Sequence, residues 1–390
     1  MSFPLHLVAG LELSTLPQQI VNGVLLGTIY ALIALGYTMV YGVLKLINFA
    51  HGEVFMLGAY ASLFMSWWLG YTPQSTMQGS SFLNLALMLL ASMTFCALVG
   101  VIIERFAYRP IRNQPRISAL ITAIGLSLLL QYGGQIFLLN GVQQSIDQRV
   151  NPYQGDLSFD LRSADPSVLK EAEVLRPAME AASRAFEARL PQEKSRFNLS
   201  PEGEALKKLA DDAKRSYQAV VDRANSQEIN VAVSKGKLTM LVTTIVLMGL
   251  LTYLVMFTRR GRAMRAVSHD FNASALMGID VNQIITFTFI LGSAAAGAGA
   301  MMYVTFQPGT KIDPFLGLAP GIKAFTAAVL GGIGNIPGAV LGGLLMGIAE
   351  NAVIWIGYDQ YRDAVAFVIL IVVLLFRPGG LLGSSKVEKV

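Results

Sequence analysis

Asn48, His51 and Glu53 bring an amide, an imidazole and a carboxylate within six positions of one another. They stand inside the otherwise apolar stretch LINFAHGEVFMLGAYASLF, Leu46–Phe64. An imidazole beside a carboxylate meets one requirement of general acid–base chemistry. The others are missing nearby, because no nucleophile, metal-ligand set or second carboxylate stands at useful spacing. Two further readings stay open. These groups form a hydrated loop at a membrane surface, or they border a translocation path at a broken segment. An ionised side chain at the bilayer centre costs about 2.5–3.5 kcal/mol, so in the second case they must face protein or water. Gly52, between His51 and Glu53, is compatible with a bend there.

No other motif supplies a reaction. The chain has no Walker A pattern; GGIGNIPG has the glycines but neither the lysine nor a flanking strand pattern. Gly-x-Ser-x-Gly, Cys-x-x-Cys and His-Glu-x-x-His are absent. A single cysteine, Cys96, excludes an intrachain disulfide, and three scattered histidines exclude a His-rich metal cluster. The expectation is a chain with no catalytic residues and no metal of its own, whose energy comes from a partner.

The elements that must position those groups are set by composition. Hydrophobic residues make up 53% of the 390 and charged residues 14%, where a soluble domain carries about 25% charged. Of the 25 acidic residues, 15 fall between Asp147 and Glu228, so the rest of the chain is nearly uncharged and needs a solvent other than water. The basic residues behind the pI of 9.2 sit beside apolar runs, which points to membrane orientation and not to nucleic acid. MSFPLHLVAGLELS lacks a basic n-region, so insertion through the chain's own helices is expected.

A hydrocarbon core of about 30 Å takes roughly 20 apolar residues in a helix. Runs of that order start at Ile20, Val54, Phe82, Ile117, Leu238 and Ile284, followed by a glycine-rich region, Ala324–Ile356, and a short run, Ala364–Phe376. The predicted fold is an all-α polytopic membrane protein with about eight transmembrane helices (eight to ten), some broken or re-entrant, plus a soluble helical insertion. Arg105, Arg109, Arg112 and Arg116 mark one short cytoplasmic loop, and the four arginines of RRGRAMR, Arg259–Arg265, mark another. Two crossings separate these loops, so the segment between the crossings lies on the far side of the membrane.

Three parts follow: residues 1–140 and 237–390, each of transmembrane helices, around a polar insertion at 141–236. The insertion carries two stretches rich in strong helix formers, with Ser200 as N-cap and Pro201 at the first helical position, and reads as a helical hairpin. Gly23 and Gly27, Gly334 and Gly338, Gly338 and Gly342, and Gly343 and Gly347 are each four apart, a spacing that lets helices approach closely. Pro337 among these glycines predicts an interruption, tolerated in lipid only where protein or a water-filled cavity satisfies the backbone. Gly334, Pro337, Gly338 and Gly342 are therefore packing or hinge candidates. Residues 258–280 are too polar to span; Ala273, Leu276, Met277 and Ile279 suit a short amphipathic surface helix ended by Gly278.

LGYTMVYGVLKLINFAHGEVFMLGAY, IERFAYRPIR, ITAIGLSLLLQ, GRAMRAV, KAFTAAVLGGIGNIPGA and the ending RPGGLLG…VEKV closely resemble the membrane permease subunits of branched-chain amino acid ABC importers. The likeness covers about Gln18–Asn140 and Lys237–Val390 and is greatest to the first of the two paired permeases. It implies a multi-pass protein of the bacterial inner membrane. The implied partners are a second permease subunit, two cytoplasmic ATP-binding subunits that use ATP and Mg, a periplasmic substrate-binding protein and the lipid bilayer. The coupling loop of importer permeases often reads Glu-Ala-Ala, three residues, then Gly. Asn272, Ala273, Ser274 and Gly278 match those positions, so the glutamate is replaced and Asp270 is the acid left nearby.

A zwitterionic aliphatic amino acid calls for apolar walls and a few fixed polar groups. Asn48, His51, Glu53, Lys323 and Asn335 are the candidates along the path. Relatives that carry urea or short-chain amides share the N-x-A-H-G-E style of motif, and a stand-alone channel or secondary transporter is the rival from another class. The insertion is expected to face the periplasm and to tune contact with the binding protein.

Overall fold

Helices apolar on every face belong in a core or in lipid. The computed structural model describes residues 13–72, 81–112, 114–138, 144–153, 155–162, 166–190, 200–227, 229–307 and 309–383. Its helices are α1 (Leu16–Leu44), α2 (His51–Trp68), α3 (Phe82–Ile103), α4 (Arg116–Phe137), α5 (Pro166–Arg189), α6 (Pro201–Gln227) and α7 (Lys235–Phe257). They continue with α8 (Arg259–His269), α9 (Phe271–Leu276), α10 (Val281–Phe306), α11 (Leu318–Gly331), α12 (Ile336–Trp355) and α13 (Ala364–Phe376). Beyond α3 the chain runs through a π-helical turn, Glu104–Tyr108, to Ile111.

Among the described residues six helices are long and apolar enough to cross a membrane: α1, α3 with its continuation, α4, α7, α10 and α12. Helices α11 and α13 are shorter apolar elements. The eight regions expected from sequence thus resolve into five long spans (α1, α3, α4, α7 and α10), α2 with its polar first turn, a glycine-rich region split into α11 and the sixth long span, α12, and the short α13. The most apolar windows of α1 and α10 are 89% and 78% buried, against 28%, 22% and 28% for α3, α4 and α7. The first two therefore form the interior, and the others expose large apolar side chains such as Leu98, Leu129 and Val246. Exposed apolar surface of that extent suits hydrocarbon and not water.

The described residues form two compact units, one built on Leu157–Ala232 and the other on Gln19–Asp156 with Val233–Val390. In the polar unit α5 packs on α6, with Val168 and Val220 at the centre of a small apolar cluster. Ser200 caps α6 by accepting the Gly203 N–H (3.2 Å), and α6 carries Pro201 as its first residue. The sequence reading did not include the two-stranded sheet that pairs β1 (Asp156–Arg162) with β2 (Ile229–Ser234).

In the apolar unit the glycines spaced by four bring backbones together. A Cβ on Gly23 would lie 2.8 Å from Ile348 Cα, and one on Gly27 2.8 Å from Gly343 O, so α1 and α12 meet with no room for a side chain. Ser92 does the same service between α2, α3 and α10, its hydroxyl 2.9 Å from Gly58 O and 2.7 Å from Gly297 O. The interruption expected around Pro337 falls at Gly332–Asn335, where Gly332 (φ 106°) and Gly334 (φ 94°) adopt left-handed backbone. Pro337 itself opens α12, where its missing N–H costs nothing. The carbonyls freed at the break are satisfied by protein, since Leu381 N–H donates to Leu330 O (2.8 Å) and Leu382 N–H to Gly331 O (3.1 Å).

A side chain at the α1–α12 contact should force the helices apart. Gly347→Val is expected to destabilise the chain by about 3 kcal/mol, read as a lower melting temperature in detergent. Gly249→Ala, at a helical glycine with open space around it, should leave that temperature unchanged or raise it. Equal effects at the two positions would contradict the packing account.

Candidate functional site

Glu53 lies in the first turn of α2 and is only 2% exposed, yet it faces a cavity. The cavity measures about 300 Å³, at the lower end for small-molecule sites. Its walls come from α1, α2, α4 and α11: Tyr37 and Phe49 on one side, Ile124 and Leu128 on another, Ile322 and Phe325 on a third. Glu53 Oε1 accepts from Ser127 Oγ (2.9 Å), and Gln131 Nε2 stands 3.4 Å away. Among the described residues Glu53 Oε2 is buried with no hydrogen-bond partner. Gly317 lies beside this oxygen, where a Cβ would come within 3.1 Å of it. A buried carboxylate oxygen without a donor is costly, and an arriving ammonium group would relieve that cost.

The other two groups of the motif serve the packing. Asn48 is buried, and its Oδ1 accepts from the Tyr108 hydroxyl (3.0 Å), which ties the α1–α2 turn to the π turn after α3. His51 is also buried, its ring edge-on to Tyr37 with centroids 4.5 Å apart. Only a glycine at position 36 leaves space for that imidazole. Neither residue lines the Glu53 cavity.

Lys323 and Asn335 lie elsewhere. Lys323 Nζ is 2.7 Å from Glu350 Oε1 and 2.7 Å from Asp363 Oδ1, and the Tyr30 hydroxyl donates to Glu350 Oε2 (2.8 Å). Arg362 Nε lies 3.8 Å from Glu350 Oε1. Two cations thus face two carboxylates, and the group pins α11, α12 and the start of α13 to α1. Glu350 and Arg362 also border a cavity of about 520 Å³ lined by Tyr303 and Lys237. Asn335 caps α12 by accepting the Gly338 N–H (3.1 Å), and its Nδ2 donates to Leu382 O (2.7 Å). With Gly334 it lines a third cavity, about 520 Å³, that also borders Met264, Arg265 and Ser268 of α8.

In the surface segment, Asp270 caps α9, its Oδ1 accepting the Ala273 N–H (2.9 Å). Asn272 and Ala273 are exposed, Ser274 is buried, and Gly278 ends the turn at φ 84°. Leu276 and Met277 are 88% and 83% exposed at the tip. Among the described residues no group of three or more His, Cys, Asp or Glu side chains is placed to hold a metal ion.

The partners of the motif residues were missed in the sequence, although a signal for them existed. Ser127 and Gln131 are polar residues four apart on the apolar run of α4, hence on one helix face. Glu350 is an acid inside the apolar run of α12, a placement that asks for a cation.

Residues 19–374 match the family model described as branched-chain amino acid transport system / permease component. The high-affinity branched-chain amino acid transport system permease protein BraD of Pseudomonas aeruginosa is 39% identical over 377 residues, covering 96% of this chain and 97% of the relative. LivH of Escherichia coli K12, of the same description, is 36% identical over 375 residues, covering 96% and 97%. A ribose import permease of Escherichia coli K12, RbsC, is 30% identical over 131 residues, or 32% of this chain and 40% of its own. No solved structure matches the chain.

Removing one partner of the buried ion pair should cost far more than removing both. Lys323→Met is expected to destabilise by about 3–5 kcal/mol because Glu350 loses its nearest cation. Lys323→Met combined with Glu350→Leu should recover most of that loss. Thermal unfolding in detergent measures both, and additive losses would contradict the pairing.

Proposed function

The chain belongs to the family of branched-chain amino acid transport system permease components, and we propose that it carries branched-chain amino acids through the cavity at Glu53. It is a multi-pass membrane protein, and its role is that of the permease subunit of an ABC importer. The membrane in this reading is the bacterial inner membrane. A second permease subunit pairs with it, two cytoplasmic subunits hydrolyse ATP with Mg, and a periplasmic binding protein delivers the cargo.

The observation that carries the substrate half is a buried carboxylate, Glu53, at the wall of an apolar cavity, with no partner for its Oε2 among the described residues. An α-ammonium group satisfies that oxygen while the aliphatic side chain lies against Ile124, Leu128 and Phe325. Asn48 and His51 keep the turn in shape, and Lys323 holds helices together without touching cargo. The ATPase contact falls on α9, whose exposed Leu276 and Met277 offer an apolar tip for a groove of the partner. Asp270, engaged as the cap, holds that tip in helical form. The glycine break at Gly332–Asn335, with Gly338 and Gly342 packed behind it, is the hinge between the α8 side and the path. The polar unit at Leu157–Ala232 faces the periplasm and adjusts contact with the binding protein.

Two experiments follow. In proteoliposomes holding this chain with its partners and binding protein, leucine uptake should require ATP and be suppressed by valine and isoleucine. Glu53→Gln keeps the shape but loses the charge, and uptake should fall about 10- to 100-fold, the worth of a hydrogen bond to a charged group. Unchanged uptake by that variant would remove Glu53 from the path, and uptake of urea in place of leucine would change the cargo. Deleting residues 157–232 should weaken binding-protein affinity, and unaltered affinity and uptake would leave that unit without this role.

A further inference from the structure

A second charged cluster lies outside the Glu53 site, where the end of α3 meets α8 and α10. The π turn carries Glu104 inward, where it is fully buried. Its carboxylate is fully engaged: Oε2 accepts from Arg109 Nη2 (2.7 Å) and Thr286 Oγ1 (2.9 Å), and Oε1 from Arg109 Nε (3.1 Å) and Arg112 Nη2 (3.1 Å). Asp280, the other acid present, caps α10 by accepting the Gln283 N–H (3.1 Å). Arg105 and Arg260 are left over. Both are exposed, and among the described residues neither makes an ion pair or a hydrogen bond. Arg260 is instead held over the Phe287 ring, 5.0 Å from its centroid.

Arg105 and Arg260 both line one cavity of about 510 Å³, together with Arg109, Asn282, Gln283 and the two acids already engaged, Glu104 and Asp280. Val101, Ile284, Phe287 and Ile290 make its apolar wall, and Thr286 completes the lining. Outside that wall, Leu98, Ile102 and Phe106 form an exposed apolar stripe at four-residue spacing along α3 and the π turn. Free phosphate would use the arginines and leave the stripe idle. An amphiphile with an anionic head uses both.

We propose that this cavity binds the phosphate headgroup of an anionic phospholipid, with Arg105 and Arg260 holding its oxygens and the Leu98–Ile102–Phe106 stripe following an acyl chain. Guanidinium groups bind phosphate through paired N–H donors, and basic pockets between membrane helices on the cytoplasmic side suit such heads. The arginine-rich loops that set the orientation of the chain supply both cations, so one feature of the sequence serves both purposes. This inference does not rest on the transport reading.

The test is lipid retention by the full chain after detergent delipidation, with phosphatidylglycerol, phosphatidylcholine and inorganic phosphate as probes. Phosphatidylglycerol should be retained in preference to phosphatidylcholine. Each arginine beside an anionic head strengthens binding about fivefold, so Arg105→Gln with Arg260→Gln should weaken retention about 25-fold. Gln283→Glu, which adds a carboxylate to the cavity without removing an arginine, should weaken it as well, and this guards against a folding defect in the double variant. Arg259→Gln, outside the cavity, should change nothing. Equal retention of both lipids, insensitivity to the double variant and Gln283→Glu alike, or displacement by inorganic phosphate alone would overturn the proposal.

Discussion

Hydrocarbon offers no hydrogen bonds, so a polar group inside a membrane protein must find its partner within the chain or in water. The rest of this structure follows from that constraint. Lys323, Glu350, Tyr30, Asp363 and Arg362 answer one another, with two cations against two carboxylates. Asn48 answers Tyr108, and Glu104 answers two arginines and a threonine. Against that background Glu53 Oε2 is the one carboxylate oxygen among the buried atoms that lack a hydrogen-bond partner within the described residues, a lack it shares with His51 Nε2 and several hydroxyls. Glu53 also lines the cavity walled by α1, α2, α4 and α11.

The same constraint explains where the helices break. Two interruptions matter, one between α1 and α2 and one between α11 and α12. The first is closed by short backbone bonds such as His51 N–H to Asn48 O (3.1 Å), and by the Tyr108 hydroxyl. The second is closed by the carboxy-terminal residues Leu381 and Leu382. The second break therefore borrows its partners from a distant part of the chain, whereas the first closes its backbone within its own turn. Near the end of α1, Gly42 lies beside the second break, where a Cβ on it would stand 3.8 Å from Gly334 Cα.

Much of this was legible from residue types. Apolar runs gave the spans because lipid tolerates little else, and the glycines four apart announced close contacts. Their pairing was hidden, since Gly23 and Gly27 meet Gly343 and Gly347 across more than three hundred residues. Glu53 was visible as a costly carboxylate, whereas Ser127 and Gln131 came into view only once α4 was placed beside α2. Lys323 and Glu350 show the same limit, because each is an anomaly alone and a pair only in space. The strands β1 and β2 carry weaker signals than the helices: DLSFDLR alternates apolar and polar residues, whereas INVAVS places β-branched residues at every second position with Ala232 between two of them. Strong helix formers on the inner side of both segments drew the reading toward helix alone.

The central claim is that the cavity at Glu53 lies on a watered path and does not face lipid. The most direct measurement is the reaction of Ser127→Cys with a membrane-impermeant thiol reagent in proteoliposomes, with Cys96 left in place because it is buried. The account predicts that this cysteine reacts, that leucine-loaded binding protein with ATP slows it, and that Leu129→Cys on the lipid-facing side of the same helix stays inert. A Ser127→Cys variant as unreactive as Leu129→Cys in every state of the cycle would contradict it.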